Sequence, residues 1–301
     1  MNKNNRYQQI NWYPGHMFKS FKVINNHLKL MDVVFVLVDA RIPKSSMNPD
    51  ILKILNNKPT IILFNKMDLA DPKNLNKWLK HYEELGFTCL AIDAQKGTNV
   101  DLIKETADSL LKDKLARMDA KGLKQRNFKT MVLGIPNVGK STLINRLSEQ
   151  RSTKVGNTPG LTKSKQWVKL ANGFDLLDMP GVLWPKFELD IGYNLAITGA
   201  IKDNILPLDD IVNHLIKFMK KHYLTNLNER YNNEITKDME FVEVLDTIGR
   251  LRGALLKGSE IDYDRVYQII LTDLRNNYLG RVSFDLIWKN LNKTYKNKIL
   301  N

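Results

Sequence analysis

A chain of 301 residues, 43% apolar and 9% aromatic, suffices for one large domain or two ordinary ones and excludes wholesale disorder. No stretch approaches the roughly 18 uncharged apolar residues of a transmembrane helix, and a lone cysteine, Cys89, excludes an intrachain disulfide framework and a cysteine-rich zinc site. The formal net charge of +14 points to a polyanionic partner.

The charge is unevenly placed. Residues 188–301 carry 16 basic and 16 acidic side chains, whereas residues 1–187 carry 30 and 16. Two stretches have no acid: 1–31, with Lys19 and Lys22, and 150–174, with Arg151, Lys154, Lys163 and Lys165. These six side chains are the candidate contacts to the phosphates of a nucleic-acid partner. The chain lacks a lipidation motif and an amphipathic anchor, so no membrane partner is expected, and its cysteine usage fits a reducing, cytoplasmic location. Pro14-Gly15 interrupts the acid-poor N-terminus and argues against a cleaved targeting helix there.

In chain order, continuous apolar runs at 33–38, 60–64, 88–92 and 130–133 predict strands buried on both faces. Each ends on a polar residue or glycine: Asp39, Asn65, Asp93 and Gly134. Helical spacing near 50–56, 72–85 and 99–118 alternates with them, which predicts a mostly parallel sheet flanked by helices. Residues 166–170 and 174–177 read as an antiparallel pair turned at Asn172-Gly173. Beyond Gly181 the strand pattern stops, and helices are predicted over 190–202, 208–223, 238–257 and 262–278, with Asp209, Asp238 and Asp262 as caps or first-turn acids. The expected organisation is an N-terminal segment (1–20), an α/β domain (21–187) and a small all-α domain (188–301).

Gly134-Ile135-Pro136-Asn137-Val138-Gly139-Lys140-Ser141 fits G-x-x-x-x-G-K-[ST] between a predicted strand and a predicted helix. Backbone N–H groups of Asn137, Val138, Gly139, Lys140, Ser141 and Thr142 are expected to cradle phosphates at the helix N-terminus, Lys140 to reach the β and γ oxygens, and Ser141 to hold Mg²⁺. Asn65-Lys66-Met67-Asp68 follows the second strand. A carboxylate there accepts both N1–H and N2–H of guanine, a donor pair that adenine lacks; Lys66 can lie over the ring. Asp93-Ala94 begins a loop that resembles the weakly defined segment by which GTPases bring a backbone N–H, here that of Ala94, to guanine O6. Asp178-Met179-Pro180-Gly181 supplies a carboxylate for Mg²⁺ through water and the Gly181 N–H for the γ-phosphate. Thr162 is the candidate switch threonine on Mg²⁺, with Thr158 as its rival.

The guanine elements precede the phosphate elements, a circular permutation of the Ras-like P-loop GTPase order. GTP and GDP are the expected ligands. The second switch, beginning at Gly181, then leads directly into the helical residues.

The permuted order, with Tyr13-Pro14-Gly15-His16-Met17, Asp39-Ala40-Arg41-Ile42-Pro43 and Leu183-Trp184-Pro185-Lys186, resembles the bacterial ribosome biogenesis GTPase A family (the YlqF/RbgA-type GTPases). The resemblance covers nearly the full length and is weaker in the helical tail. It implies a GTP-hydrolysing factor that binds the immature large (50S) ribosomal particle, acts late in its assembly and leaves after hydrolysis; off the particle a monomer is expected. Ras-type enzymes place a glutamine after D-x-x-G, where this chain has Val182, which cannot orient a water. The resemblance assigns that task to His16, for which a packing role is the alternative reading. Asn137 resembles the asparagine that coordinates K⁺ in potassium-activated GTPases, with loop stabilisation as the alternative. Val182 leaves a second function open: a nucleotide-switched RNA-binding scaffold without significant hydrolysis.

Overall fold

A computed structural model describes residues 10–11, 16–55, 58–122, 127–149, 166–170, 173–203, 207–232 and 234–287, with backbone alone at 10–11, 16–20, 149 and 166. Strand β1 (Ile10–Asn11) is followed by α1 (His16–Leu28), β2 (Val33–Asp39), α2 (Pro43–Ser46), α3 (Pro49–Leu55) and β3 (Thr60–Asn65). Then come α4 (Pro72–Glu84), β4 (Thr88–Ala91), α5 (Leu102–Leu110), α6 (Lys112–Ala120), β5 (Phe128–Gly134), α7 (Lys140–Glu149), β6 (Gln166–Lys169), β7 (Phe174–Asp178) and β8 (Lys186–Phe187). The helical part comprises α8 (Leu189–Ile197), α9 (Leu208–His222), α10 (Leu224–Arg230), α11 (Phe241–Leu251) and α12 (Tyr263–Arg275).

Six strands form one sheet in the order β4-β3-β2-β5-β7-β6, parallel except for the β6–β7 hairpin. The permuted chain thereby assembles the strand order of the Ras-like fold. The continuously apolar strands are the inner ones: every residue of β2 and β3 is buried, because helices cover both faces. β4, at the edge, is half-buried throughout. The hairpin turns at Gly173, whose φ of +92° suits a residue without Cβ. The register sets Asp178 beside Val132, so the carboxylate stands at the same sheet end as the loop after β5.

Helix starts follow local chemistry where polar side chains are available. Asp71 caps α4, accepting from Lys73 N at 2.8 Å ahead of Pro72. Asp262 caps α12 through Arg265 N. Asp238 caps nothing: α11 starts later, on a capping box between Glu240 and Glu243. The expected helix over 99–118 is two helices, broken at Leu111. Two features gave no sequence signal. α1 begins immediately after Pro14-Gly15 and buries Ile24 and Leu28, and β1 pairs antiparallel with β8, matching Ile10 with Phe187.

The core is continuous from the sheet into the helical part, where Ile211, Leu215, Met219, Leu245, Ile248 and Ile270 are each at most 1% exposed. α8 packs on α2, and α9 contacts α8, α10, α11 and α12. No helix among the described residues is long and apolar enough to cross a membrane.

Candidate functional site

The strands β2, β3, β4, β5 and β7 point their carboxyl ends to one edge, where ligands bind in sheets of this kind. Asn65, last residue of β3, is buried and bridges two loops. Its Nδ2 donates to Val138 O at 2.8 Å, and its Oδ1 accepts from Ala94 N at 3.0 Å. Gly139 is required beside it, since a Cβ there would overlap the Asn65 amide. Lys66 and Asn137 both adopt left-handed φ, +61° and +55°, and are joined: Lys66 Nζ donates to Asn137 O at 2.9 Å. The same ammonium lies 3.1 Å from Asp39 Oδ2.

Asp39 closes β2 and is held by a bidentate pair with Arg41, at 2.9 Å from Nε and 2.7 Å from Nη2. Burial alone would raise this carboxyl, but Arg41 and then Lys66 overcome burial and hold it well below the usual carboxylate range. Arg41 is itself 2% exposed, and its Nη1 has no hydrogen-bond partner. Asp68 remains accessible, 3.0 Å from the exposed Lys96 ammonium.

On the phosphate side, α7 begins at Lys140, so its first N–H groups face the same edge. Ser141 and Thr142 are exposed there, and Met67 is half-buried behind the base loop. Lys140 is buried and folds back onto Ile135 O at 2.8 Å and Gly134 O at 3.3 Å. Burial lowers its ammonium to about 8 against the opposing pull of Asp178. Gly181 presses on this loop: a Cβ there would stand 2.6 Å from Pro136 N. Val182 is 1% exposed, and its N–H donates to Gly134 O at 3.2 Å, so neither group is free to orient a water.

Between these loops lies a cleft of about 830 Å³. One wall is Asn65, Lys66, Asp68, Gln95, Gly139 and Thr142. The other comes from the helical part: Thr198, Gly199, Arg275, Asn276 and Tyr278. No motif or spacing signals this second wall. Nor does Ala94 face the cleft as expected; its N–H is taken by Asn65, and Gln95 lines the cleft instead. An Asx turn produces that offset, with Asp93 Oδ1 accepting from Gln95 N and Lys96 N. Arg146 on α7 buttresses the loop through Ala94 O and Gln95 O.

The C-terminal carbonyls of α8 are distributed among three elements. Arg275 donates to Ala196 O (2.8 Å) and Ile197 O (3.2 Å), Arg41 to Thr198 O (3.4 Å), and Asn137 to Gly199 O (2.9 Å). Lys22 is exposed on α1. The side chains of His16 and Lys19, and the whole of Arg151, Lys154, Thr158, Thr162, Lys163 and Lys165, lie outside the described residues.

A Ras-like sheet entered in permuted order, with a glycine-rich loop before a helix and Asn65-Lys66-Met67-Asp68 at the same edge, defines a circularly permuted P-loop GTPase. A family profile described as "50S ribosome-binding GTPase" matches residues 129–247, beginning at β5 and leaving the guanine loops upstream of it. The chain is 48% identical to the ribosome biogenesis GTPase A of Priestia megaterium over 92% of its length and 96% of that protein, and 33% identical to that of Thermotoga maritima over 92% and 94%. A structure titled as GNP-bound YlqF from T. maritima superposes with a TM-score of 0.61 at 25% identity, covering 89% of this chain and 98% of that one. The chain belongs to the ribosome biogenesis GTPase A family.

Proposed function

We propose that this GTPase binds the immature large ribosomal subunit, promotes its late maturation and is activated by that particle to hydrolyse GTP to GDP and phosphate. The observation that carries the nucleotide half is the Asn65 bridge, which holds the base loop, the phosphate loop and the Ala94 loop together at one sheet edge. The particle half rests on the relatives and on the basic residues of the first 187.

In this reading Asp68 selects guanine, the Lys66 stem lies over the nucleoside, and Gln95 takes the place first expected of Ala94. The N–H groups from Asn137 to Thr142 and Lys140 hold the phosphates. No group of three or more His, Cys, Asp or Glu among the described residues could hold a metal. Mg²⁺ would be held by Ser141, Thr162 and, through water, Asp178, alongside phosphate oxygens. When bound, Mg²⁺ neutralises charge on the phosphates. Asn137 donates its Nδ2 to Gly199 O, which leaves Oδ1 as an acceptor and is compatible with a K⁺ ligand.

Val182 being buried, the attacking water needs another partner, and His16 is the assigned one. The β1–β8 pairing supports this: it ties the chain just before His16 to the chain just after Gly181. In this reading Lys19, Lys22, Arg151, Lys154, Lys163 and Lys165 are the residues assigned to RNA phosphates.

Single-turnover hydrolysis on 50S particles tests the assignment. His16→Ala is expected to lose most particle-stimulated turnover while GDP affinity holds; unchanged stimulated turnover removes His16 from the mechanism. Neutralising Lys163 and Lys165 is expected to weaken particle binding more than neutralising Lys217 and Lys220, with a smaller salt dependence. Equal effects would contradict an RNA-facing basic side.

A further inference from the structure

We propose that Tyr278, from the helical part, is a nucleoside-contacting residue: its ring packs against the bound guanine nucleotide in the cleft that Asp68 and Gln95 also line. The proposal rests on the reading that this cleft holds the nucleotide.

The chain after α12 is fastened along the guanine-reading loop. Arg281 donates Nε to Ala70 O and Nη2 to Met67 O, both at 2.9 Å, and Val282 N donates to Leu69 O at 3.0 Å. These bonds fix the segment beside Asp68 and set Tyr278, three residues earlier, into the cleft wall. Tyr278 is pinned on both sides: its N–H donates to Asp273 O at 2.8 Å, and Leu279 O accepts from Asn226 Nδ2 at 2.9 Å. The Arg230 guanidinium carbon lies 4.6 Å from the ring centroid, so the ring is oriented by its own neighbours.

Yet 57% of Tyr278 stays exposed, the largest value among the exposed large apolar and aromatic side chains described. A rigidly held aromatic ring, open on a polar cleft that faces a guanine-selecting carboxylate, is the arrangement that stacks on a base or packs on a ribose. Asn276 and Arg275 extend the same wall, so the nucleotide would touch the helical part directly as well as through the loops.

Equilibrium titration with GDP tests this on the full-length protein. Tyr278→Ala is expected to weaken GDP binding about five- to tenfold, and Tyr278→Phe to stay within about twofold of the parent, since the ring does the packing. If Tyr278→Ala lowers the thermal midpoint, Tyr278→Leu replaces it, keeping apolar bulk but no ring, and the same loss is expected. Asp68→Asn serves as reference. If Asp68→Asn loses GDP but the Tyr278 variants bind like the parent, the helical wall is overturned and the site reading stands. If none of the variants loses GDP, the site reading itself fails.

Discussion

The side-chain amide of Asn65 donates to the Val138 carbonyl at 2.8 Å, joining the guanine-reading loop to the phosphate loop through a bond between residues 73 positions apart. Its other end accepts from Ala94 N, so removal leaves a buried donor and a buried carbonyl unpaired. Asn65→Ala is therefore expected to weaken GDP binding by at least about tenfold and to lower the thermal midpoint. Calorimetric titration and a thermal scan check both; retention of parental affinity would show that the bridge is dispensable.

Lys140 carries a pH signature. Its ammonium, lowered to about 8 by burial, is raised again when phosphate oxygens replace the loop carbonyls as its partners. A group with a higher pKa in the bound state takes up protons on binding, so GDP affinity should fall as pH rises through 8 toward 9. Titrations at pH 7, 8 and 9 measure this, and Lys140→Arg, charged throughout, should flatten whatever slope Lys140 contributes.

Arg41 and Asp39 form a buried ion pair that also steadies Lys66. Arg41→Ala leaves a buried carboxylate with only the backbone N–H of residue 41 and the partly exposed Lys66 ammonium as partners, at a cost of about 3 kcal/mol measured by urea unfolding. Because the Asp39 carboxyl is held below its ordinary range, its contribution to stability is present above about pH 4 and fades as pH falls toward the depressed folded value. Asp39→Asn should accordingly reduce the acid sensitivity of unfolding below pH 4.

Asp285 latches the C-terminal strap to the other end of the chain. Its carboxylate accepts from Ser45 N at 2.6 Å, Ser45 Oγ at 2.7 Å and Asn194 Nδ2 at 3.1 Å, and its carbonyl from Trp78 Nε1 at 2.7 Å. Asp285→Ala is expected to cost about 3 kcal/mol, and to speed hydrogen exchange at the amides of Val282 and Phe284, which bond to Leu69 O and Arg41 O. Exchange rates unchanged at those two amides would show that the strap is held without it.

What the sequence discloses here is local. Buried parallel strands leave apolar runs, and the phosphate loop and Asn65-Lys66-Met67-Asp68 are compact motifs whose flanking elements can be read beside them. Contacts spanning the chain leave no spacing to read: nothing around Arg281 signals Met67, and nothing around Asp285 signals Ser45. α1 was obscured because Pro14-Gly15 reads as a break, whereas the helix starts immediately after it. The Ala94–Gln95 offset depends on one side-chain turn at Asp93, finer than any pattern of residue types. The second cleft wall follows from how the chain after α12 meets the guanine loop, a tertiary relation between segments about 200 residues apart.

Activation of this GTPase by the large-subunit particle is tested most directly by steady-state GTP turnover in K⁺ with and without purified 50S subunits. We expect slow turnover by the protein alone and a many-fold rise when subunits are added. Turnover that stays at the unstimulated rate across saturating subunit concentrations would contradict it.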